Sequence, residues 1–255
     1  MRAKVTILTL LCAVLFAASG LCGSVTQAKN IFYLGNVSYD KEDFKDAIAQ
    51  YEEVLRTGYE SGELYYNLGN AYFKNGSLGK AIVNYLKAKR FMPGDEDLRS
   101  NLSYARSLIR EGVVSPKFSW FESLFLRVVD AFSLNGITLV TACVYFALSA
   151  VFILSILFKN LRPKINYAAA SLALSLLLCI AIGISKFNGE VLEKKAVITA
   201  EAADSKFEPF EDATIFFRLN EGETVIIVDE RDNWYKVKRP DGRQGWIKTE
   251  VAELL

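Results

Sequence analysis

The stretch ELYYNLGNAYFKNGSLGKAIVNYLKAKRFMPGD, residues 63–95, is the clearest structural signal in the chain. Gly69 and Ala81 are small, so two antiparallel helices can approach each other closely at these positions. Large aromatic side chains such as Tyr85 would fill the space between the helices. Pro93 predicts the end of the second helix, because proline cannot continue the helical hydrogen-bond ladder. The stretch therefore predicts a helical hairpin.

This hairpin is the second unit of a repeat with a period of 34 residues. Like residues one period apart are Leu34 and Leu68, Gly35 and Gly69, Ala47 and Ala81, and Tyr51 and Tyr85. A 34-residue period of helical pairs resembles the tetratricopeptide (TPR) repeat. The signature positions of that repeat are occupied by Tyr65, Leu68, Gly69, Tyr72, Ala81, Tyr85, Ala88 and Pro93. Residues 29–112 are thus predicted to form TPR helical hairpins with one capping helix.

The resemblance implies a concave binding face lined by the first helix of each pair. Carried over by position, this face includes Phe32, Asn36, Tyr66, Asn67, Asn70, Phe73 and Lys74. Asparagine amides can bind an extended peptide backbone, and a lysine can pair with a carboxylate. Phe32 stands where TPR domains that clamp a C-terminal carboxylate often have lysine, which argues against that mode. The alternative is that these residues only keep the groove soluble.

Two apolar blocks without charges, residues 137–158 and 165–185, predict a two-helix transmembrane hairpin. At about 1.5 Å per residue each block reaches about 32 Å, enough to cross the ~30 Å hydrocarbon core. The connecting residues 159–164 carry three positive charges and no acid. A short basic loop stays in the cytoplasm, so the segments before and after the hairpin are both predicted on the far side.

The N-terminus has the anatomy of a secretory signal peptide, predicted over residues 1–28. Two basic residues precede an apolar run over residues 5–19, and small residues follow it. Cleavage after Gly20, Ser24 or Ala28 and retention as an anchor all stay open. Each of these outcomes exports the residues downstream, in agreement with the basic loop. The chain is therefore predicted in a bacterial inner membrane with both flanking domains in the periplasm.

Residues 113–136 form a predicted amphipathic juxtamembrane segment. Four phenylalanines recur at helical spacing, with Trp120 beside them: Phe118, Phe121, Phe125 and Phe132. Aromatic rings favour the interface between membrane and water, so one interpretation is a helix lying along the membrane surface. The other is a helix that packs on its own domain.

Short β runs follow the second apolar block, at residues 196–200, 213–219, 223–229, 233–239 and 243–248. The stretch LNEGETVIIVDERDNWYKVKRPDGRQGWIKTEVAELL resembles a bacterial SH3-type domain through its EG turn, W-Y-K-V strand, DG turn and G-W-I close. The resemblance implies a small all-β SH3-like barrel over residues 190–255. Trp234, Tyr235 and Trp246 are predicted to pack within it, with ligand contact as the alternative.

Several function classes are disfavoured by composition. The chain has no histidine, which excludes histidine-based nucleophile systems and zinc sites that need histidine. A net charge of +1 supplies no basic field for nucleic acid. The four cysteines lie in or beside apolar stretches, without metal-knuckle spacing. No catalytic residue, metal site or cofactor is predicted, and the apolar blocks lack the charges that a proton relay needs.

The order of these parts resembles the BatE-type proteins of Bacteroides aerotolerance (Bat) operons. The runs GYESGELYYNLGNAYFKNG and KAIVNYLKAKRFMPGDEDL carry the resemblance further. In that family the neighbouring genes encode proteins with von Willebrand A domains and a MoxR-type ATPase. These proteins are thought to act together at the inner membrane against oxygen or other envelope stress. The resemblance implies a complex and a stress role, without naming a biochemical activity.

The sequence thus predicts a multidomain membrane protein that is not an enzyme and binds proteins as a scaffold. The implied partners are other Bat-type proteins with von Willebrand A domains, together with membrane lipid and without nucleic acid. Self-association through the incomplete solenoid stays open. The alternative is a membrane anchor whose SH3-type domain binds cell-wall peptidoglycan.

Overall fold

The computed structural model describes residues 26–109, 119–158 and 162–255. The predicted signal peptide lies outside these ranges except for its last three positions, which are helical. Part of the predicted juxtamembrane segment, including Phe118, and half of the predicted basic loop also lie outside the described residues.

Five helices form what we call the repeat unit: α1 over residues 26–40, α2 over Phe44–Arg56, α3 over Gly62–Lys74, α4 over Leu78–Phe91 and α5 over Glu96–Ser107. Ser61 and Asp95 cap α3 and α5, where each side chain accepts a hydrogen bond from a backbone N–H three residues on. Such caps satisfy donors that have no partner within the helix. Helix α5 is the predicted capping helix, and it buries Leu98, Leu102 and Ala105.

The close approach predicted for the helical pairs is confirmed. A Cβ atom added at Gly69 would lie 2.7 Å from the Tyr85 ring, and one at Gly35 would lie 2.6 Å from the Tyr51 ring. Each glycine therefore makes room for the tyrosine of the next helix. Helix α4 ends two residues before Pro93, as the sequence predicts.

Within the described residues between the repeat unit and the apolar part of the chain, helix α6 covers Trp120–Ala131. Its start is fixed by a capping box in which Ser119 and Glu122 each bond to the other's backbone N–H. Val129 packs against Ile137 and Ile182 of the two helices that follow. The described part of the predicted segment 113–136 thus contains α6, and its last three residues belong to the next helix.

Two long helices come next: α7 covers Leu134–Leu157 and α8 covers Arg162–Phe187, with a π-helical extension over Asn188–Leu192. The start of α7 packs beside the end of α8, so the two form an antiparallel hairpin. Both helices are longer than the apolar blocks that predict them.

The start of α8 differs from the prediction. Arg162 and Lys164 are predicted in the loop 159–164, but both lie in the first turn of α8. Pro163 explains this start, because proline is favoured in the first helical turn, where its missing N–H costs no hydrogen bond. The Arg162 Nε donates to the carbonyl oxygen of Ser155 at 3.1 Å. The guanidinium therefore lies at the C-terminal end of α7, where the helix dipole favours a positive charge.

The C-terminal residues form what we call the sheet domain, a seven-stranded antiparallel sheet with the order β3-β2-β6-β5-β4-β1-β7. Its strands are β1 Lys195–Ile198, β2 Ala202–Lys206, β3 Ile215–Asn220, β4 Thr224–Arg231, β5 Trp234–Lys238, β6 Gln244–Lys248 and β7 Ala252–Leu254, with a 3₁₀ turn at Thr249–Val251. All five predicted β runs coincide with strands. An SH3-like fold agrees with this arrangement.

Strands β2 and β7 are absent from the sequence prediction. The sequence AADSK of β2 lacks the β-branched and aromatic residues that favour strands. Its pairing with β3 and β6 holds it in the sheet, with Ala203 and Ser205 buried on one face. Strand β7 has only three residues, and its backbone is held in the extended conformation by antiparallel pairing with β1.

The repeat unit and the sheet domain contact each other through α4. Val197 of β1 belongs to the hydrophobic core of the repeat unit, and Leu255 packs against the same core. At the residue after Val197, a Cβ added at Gly79 would lie 2.4 Å from the Ile198 carbonyl oxygen. The backbone of β1 therefore lies directly against α4.

Candidate functional site

Four asparagines on the first helices of the repeats form a ladder: Asn36, Asn67, Asn70 and Asn101. The Asn67 Nδ2 donates to the Asn36 Oδ1 at 3.1 Å. One repeat later, the Asn101 Nδ2 donates to the Asn70 Oδ1 at 3.0 Å. We call the surface around this ladder the asparagine groove. It joins α1, α3 and α5 side by side.

The tyrosines between the helices bond to the same ladder. The Tyr51 hydroxyl donates to the Asn36 Oδ1 at 2.7 Å, and the Tyr85 hydroxyl donates to the Asn70 Oδ1 at 2.8 Å. Burial raises the pKa of both tyrosines above the ordinary value, so both hydroxyls remain protonated donors even in moderately alkaline solution. Each of these two asparagine oxygens thus accepts two hydrogen bonds within the protein.

The amide nitrogens of Asn36 and Asn70 have no hydrogen-bond partner among the described residues. At these positions the asparagine groove offers N–H donors to a ligand, while the acceptor oxygens are already occupied. An extended peptide presents backbone carbonyl oxygens that such donors bind. The geometry thus favours a role for these two residues as donors.

The groove contains a cavity of about 290 Å³. Its lining consists of Asn36, Tyr39, Asp40, Tyr51, Asn67 and Asn70. Of these, Tyr39, Asp40 and Tyr51 are absent from the sequence-based set. Asp40 is exposed and gives the rim of the cavity a negative charge. A signal for Asn101 was present in the sequence, because it lies one 34-residue period after Asn67.

The other predicted groove residues have different surroundings. Phe32 packs on Tyr51 with ring centroids 5.7 Å apart, and Phe73 packs on Tyr104 at 5.8 Å. Both are half-buried and contribute to packing between helices. The Tyr66 hydroxyl accepts a hydrogen bond from the ladder, and Lys74 is exposed at the last residue of α3.

The two tryptophans of the sheet domain are buried, with 9% of Trp234 and 5% of Trp246 exposed. Lys206 lies 5.5 Å from the ring centre of Trp234, and Arg231 lies 5.2 Å from that of Trp246. Both indole rings therefore have cations over them, which agrees with a packing role. Tyr235 is half-buried beside them.

An exposed aromatic cluster occurs in the sheet domain at the edge strand β3 and the loop before it. Phe207, Phe210, Ile215 and Phe216 are all exposed, and the rings of Phe207 and Phe216 lie 4.3 Å apart. We call this the edge cluster. The sequence analysis did not predict this cluster. Its signal is the occurrence of Phe207, Phe210 and Phe216 within ten residues that are otherwise mostly polar.

Helices α7 and α8 are long and apolar enough to cross a membrane, with mean hydropathies of 2.4 and 2.3 in their most apolar windows. Only 6% of each window is buried within the chain. Core helices of soluble proteins are mostly buried, and these two are not. Within the described residues, no group of three or more His, Cys, Asp or Glu side chains is placed to hold a metal ion.

Comparison with known families gives two matches. The tetratricopeptide-repeat model matches residues 34–96, and the bacterial SH3-domain model matches residues 208–252. The chain carries a TPR unit and a bacterial SH3 domain. These matches confirm the two domain types predicted from the sequence, on either side of the two apolar helices. A search of the curated proteins found no match. Both domain types suggest binding to proteins or to the cell wall.

Proposed function

We propose that the chain is a non-enzymatic scaffold of the bacterial inner membrane that binds protein partners through a periplasmic repeat unit and a periplasmic sheet domain. It acts in a Bat-type complex for aerotolerance or envelope stress. The observation that carries the proposal is the direct contact between the two domains, which stand in the sequence on either side of the α7–α8 hairpin.

The membrane part of the proposal follows from the hairpin. Antiparallel spans return the chain to the side from which it started, so domains before α7 and after α8 share one side. The Gly79 N–H donates to the Glu221 Oε1 at 2.7 Å, and the Lys87 Nζ lies 2.8 Å from the Glu253 Oε1. Two domains on opposite sides of a membrane could not make these contacts.

Helix α6 supports the same placement. Its inner face packs on α7 and α8, while Trp120, Phe121 and Leu124 are exposed on its other side. An apolar face beside two membrane spans suits the interface between membrane and water. The basic residues between the spans favour the periplasm for both domains.

Partner binding is assigned to the asparagine groove. The free N–H donors of Asn36 and Asn70 suit the backbone carbonyls of an extended segment of another protein. The resemblance to BatE-type proteins makes a membrane protein with a von Willebrand A domain the expected partner. The chain has no histidine, which argues against histidine-based catalysis.

Site-specific photocrosslinking in native membranes tests this proposal. A photoreactive amino acid at Asp40, on the rim of the groove, should capture one dominant membrane protein with a von Willebrand A domain. The control position is the exposed Lys45 on α2, the outer helix of the pair, and it should not capture that protein.

A matched variant sharpens the test. Asn70→Asp keeps an acceptor oxygen for Tyr85 and Asn101 but removes the N–H donors, so the repeat unit should fold and the adduct should disappear. Adducts with this chain alone, or none from a folded protein, would refute recruitment through the groove.

The edge cluster favours a second candidate, a membrane anchor that binds peptidoglycan through the sheet domain. Exposed aromatic rings are common in saccharide and peptide sites, and Phe207 and Phe216 form such a surface. The detergent-solubilised full chain should then sediment with purified sacculi, and Phe216→Ser should release it. A scaffold that binds only proteins stays in the supernatant in both forms.

A further inference from the structure

A polar cleft of about 520 Å³ lies where the repeat unit, the start of α7 and the end of the sheet domain meet. Four charged residues line it: Lys87 and Arg90 from α4, Glu60 from the turn before α3, and Glu190 from the extension of α8. Two positive and two negative charges thus face one space. We call it the junction cleft.

An apolar groove of about 800 Å³ runs between α7 and α8. Ile137, Thr141 and Tyr145 line it on α7, and Gly183 opens it on α8. A Cβ added at Gly183 would meet no atom within 4 Å, so the groove has open space at this residue. We call it the interhelical groove.

The two spaces adjoin each other at Leu134, which lines both. From Leu134 to Tyr145 the interhelical groove follows α7 for about 16 Å, at ~1.5 Å per residue. Half of a ~30 Å hydrocarbon core is about 15 Å, so the groove has the depth of one membrane leaflet. A polar cleft therefore adjoins an apolar groove that is about as long as the acyl chain of a phospholipid.

The charges of the junction cleft differ in how they are paired. Lys87 is paired with Glu253 at 2.8 Å, and Glu190 is paired with Lys186 at 2.9 Å. Arg90 is half-buried and has no hydrogen-bond or ion-pair partner among the described residues. A planar guanidinium is the side chain best suited to bind a phosphate through two parallel hydrogen bonds.

We propose that the junction cleft and the interhelical groove form one site for a membrane phospholipid with a zwitterionic headgroup. Arg90 binds the phosphate, the carboxylates of Glu60 and Glu190 face the ammonium group, and one acyl chain fills the groove beside Gly183. The balanced charge of the cleft selects a zwitterionic headgroup over an anionic one. This site rests on the membrane placement in the proposed function, and it does not depend on any protein partner.

Native mass spectrometry of the full chain, released from nanodiscs of equal phosphatidylethanolamine and phosphatidylglycerol content, tests the site. The wild-type chain should retain one phospholipid, with phosphatidylethanolamine in excess. Gly183→Phe fills the open space and should remove the adduct. Ala181→Phe adds the same ring to an exposed position of α8 outside the groove and should retain it.

The headgroup contact has its own variant pair. Arg90→Ala should lower retention of phosphatidylethanolamine about tenfold, since a charge-assisted contact to phosphate is lost. Arg99→Ala on α5, an exposed arginine that does not line the cleft, should leave retention unchanged. Helical content and thermal unfolding of each variant would establish that the fold is intact.

Equal retention in Gly183→Phe and Ala181→Phe, or an excess of phosphatidylglycerol, would overturn the site or its headgroup assignment. A wild-type chain that stays in the membrane pellet in alkaline carbonate but carries no phospholipid would overturn the site and leave the scaffold proposal standing. Release of the chain by carbonate would overturn both.

Discussion

The backbone N–H of Gly79 donates a 2.7 Å hydrogen bond to the carboxylate of Glu221, which lies 142 residues further along the chain. Gly79 is in the first turn of α4, whose N-cap residue Ser77 makes no side-chain capping bond. A residue of the sheet domain thus supplies the cap that the local sequence lacks. The cap ties the start of α4 to the turn between β3 and β4.

Replacing Glu221 with Ala should weaken the contact between the two domains. The change removes a carboxylate from the positive end of a helix and leaves a backbone donor without its partner, which costs about 1 kcal/mol. Hydrogen exchange at the first turn of α4 should become faster. Glu250→Ala, at an exposed position of the sheet domain, is the control and should leave that exchange unchanged.

Gly79→Ala should separate the domains more completely. Its Cβ would lie 2.4 Å from the Ile198 carbonyl oxygen, and backbone atoms cannot yield as a flexible side chain does. Overpacking of this kind costs about 1–3 kcal/mol. Limited proteolysis should then cleave between the domains at lower protease concentration. Gly94→Ala, where a Cβ meets no atom within 4 Å, should give the wild-type pattern.

The effects of substituting Lys87 and Glu253 on stability should depend on each other, because the two side chains form an ion pair. Its side chains are 24% and 40% exposed, so the pair contributes about 0.5 kcal/mol. Lys87→Glu should destabilise the domain contact through repulsion, and Lys87→Glu with Glu253→Lys should restore it. Unfolding midpoints of the two single variants and the double variant measure the coupling. Additive effects would show that the side chains do not interact in solution.

The repeat unit should lose stability at high pH. Burial, followed by a hydrogen bond to Glu60, raises the pKa of Tyr65 from 10.0 to about 12. A raised pKa stabilises the folded state below pH 10, and this contribution is lost as the pH rises towards 12. Tyrosinate absorbance should therefore appear together with loss of helical signal in this range. Tyr65→Phe should make the stability less dependent on pH there, and an unchanged pH profile would contradict the prediction.

The sequence predicts those parts of the molecule that local residue spacing determines. Gly69 and Tyr85 meet as the 34-residue pattern requires, and Pro93 follows the end of α4. The α8 start shows the limit of charge-based reasoning, because Arg162 reads as a loop residue although Pro163 favours a helical turn. Strand β2 shows another limit, since only pairing with its neighbours makes AADSK a strand.

The sequence predicts most of the asparagine groove, but it does not predict the contact between the two domains. Asn36, Asn67 and Asn70 come together as the repeat pattern implies. The orientation of their donors depends on Tyr51 and Tyr85, which bond to the acceptor oxygens. The Gly79–Glu221 bond joins residues so far apart in sequence that no local pattern encodes it, and Gly79 reads as an ordinary glycine near a helix start.

The contact between the repeat unit and the sheet domain also has a consequence for the order of assembly. In the proposed topology the ends of the α7–α8 hairpin emerge side by side, so insertion brings the two domains to a high local concentration before they touch. Insertion of the hairpin into the membrane thus already brings the ends of the long chain segment together, so the two domains lose little further entropy when they bind each other. Among the described residues the interface includes a helix cap, an ion pair and several apolar side chains, and such an interface is sufficient under these conditions. The same two domains, produced as separate chains, should therefore form no stable complex in solution.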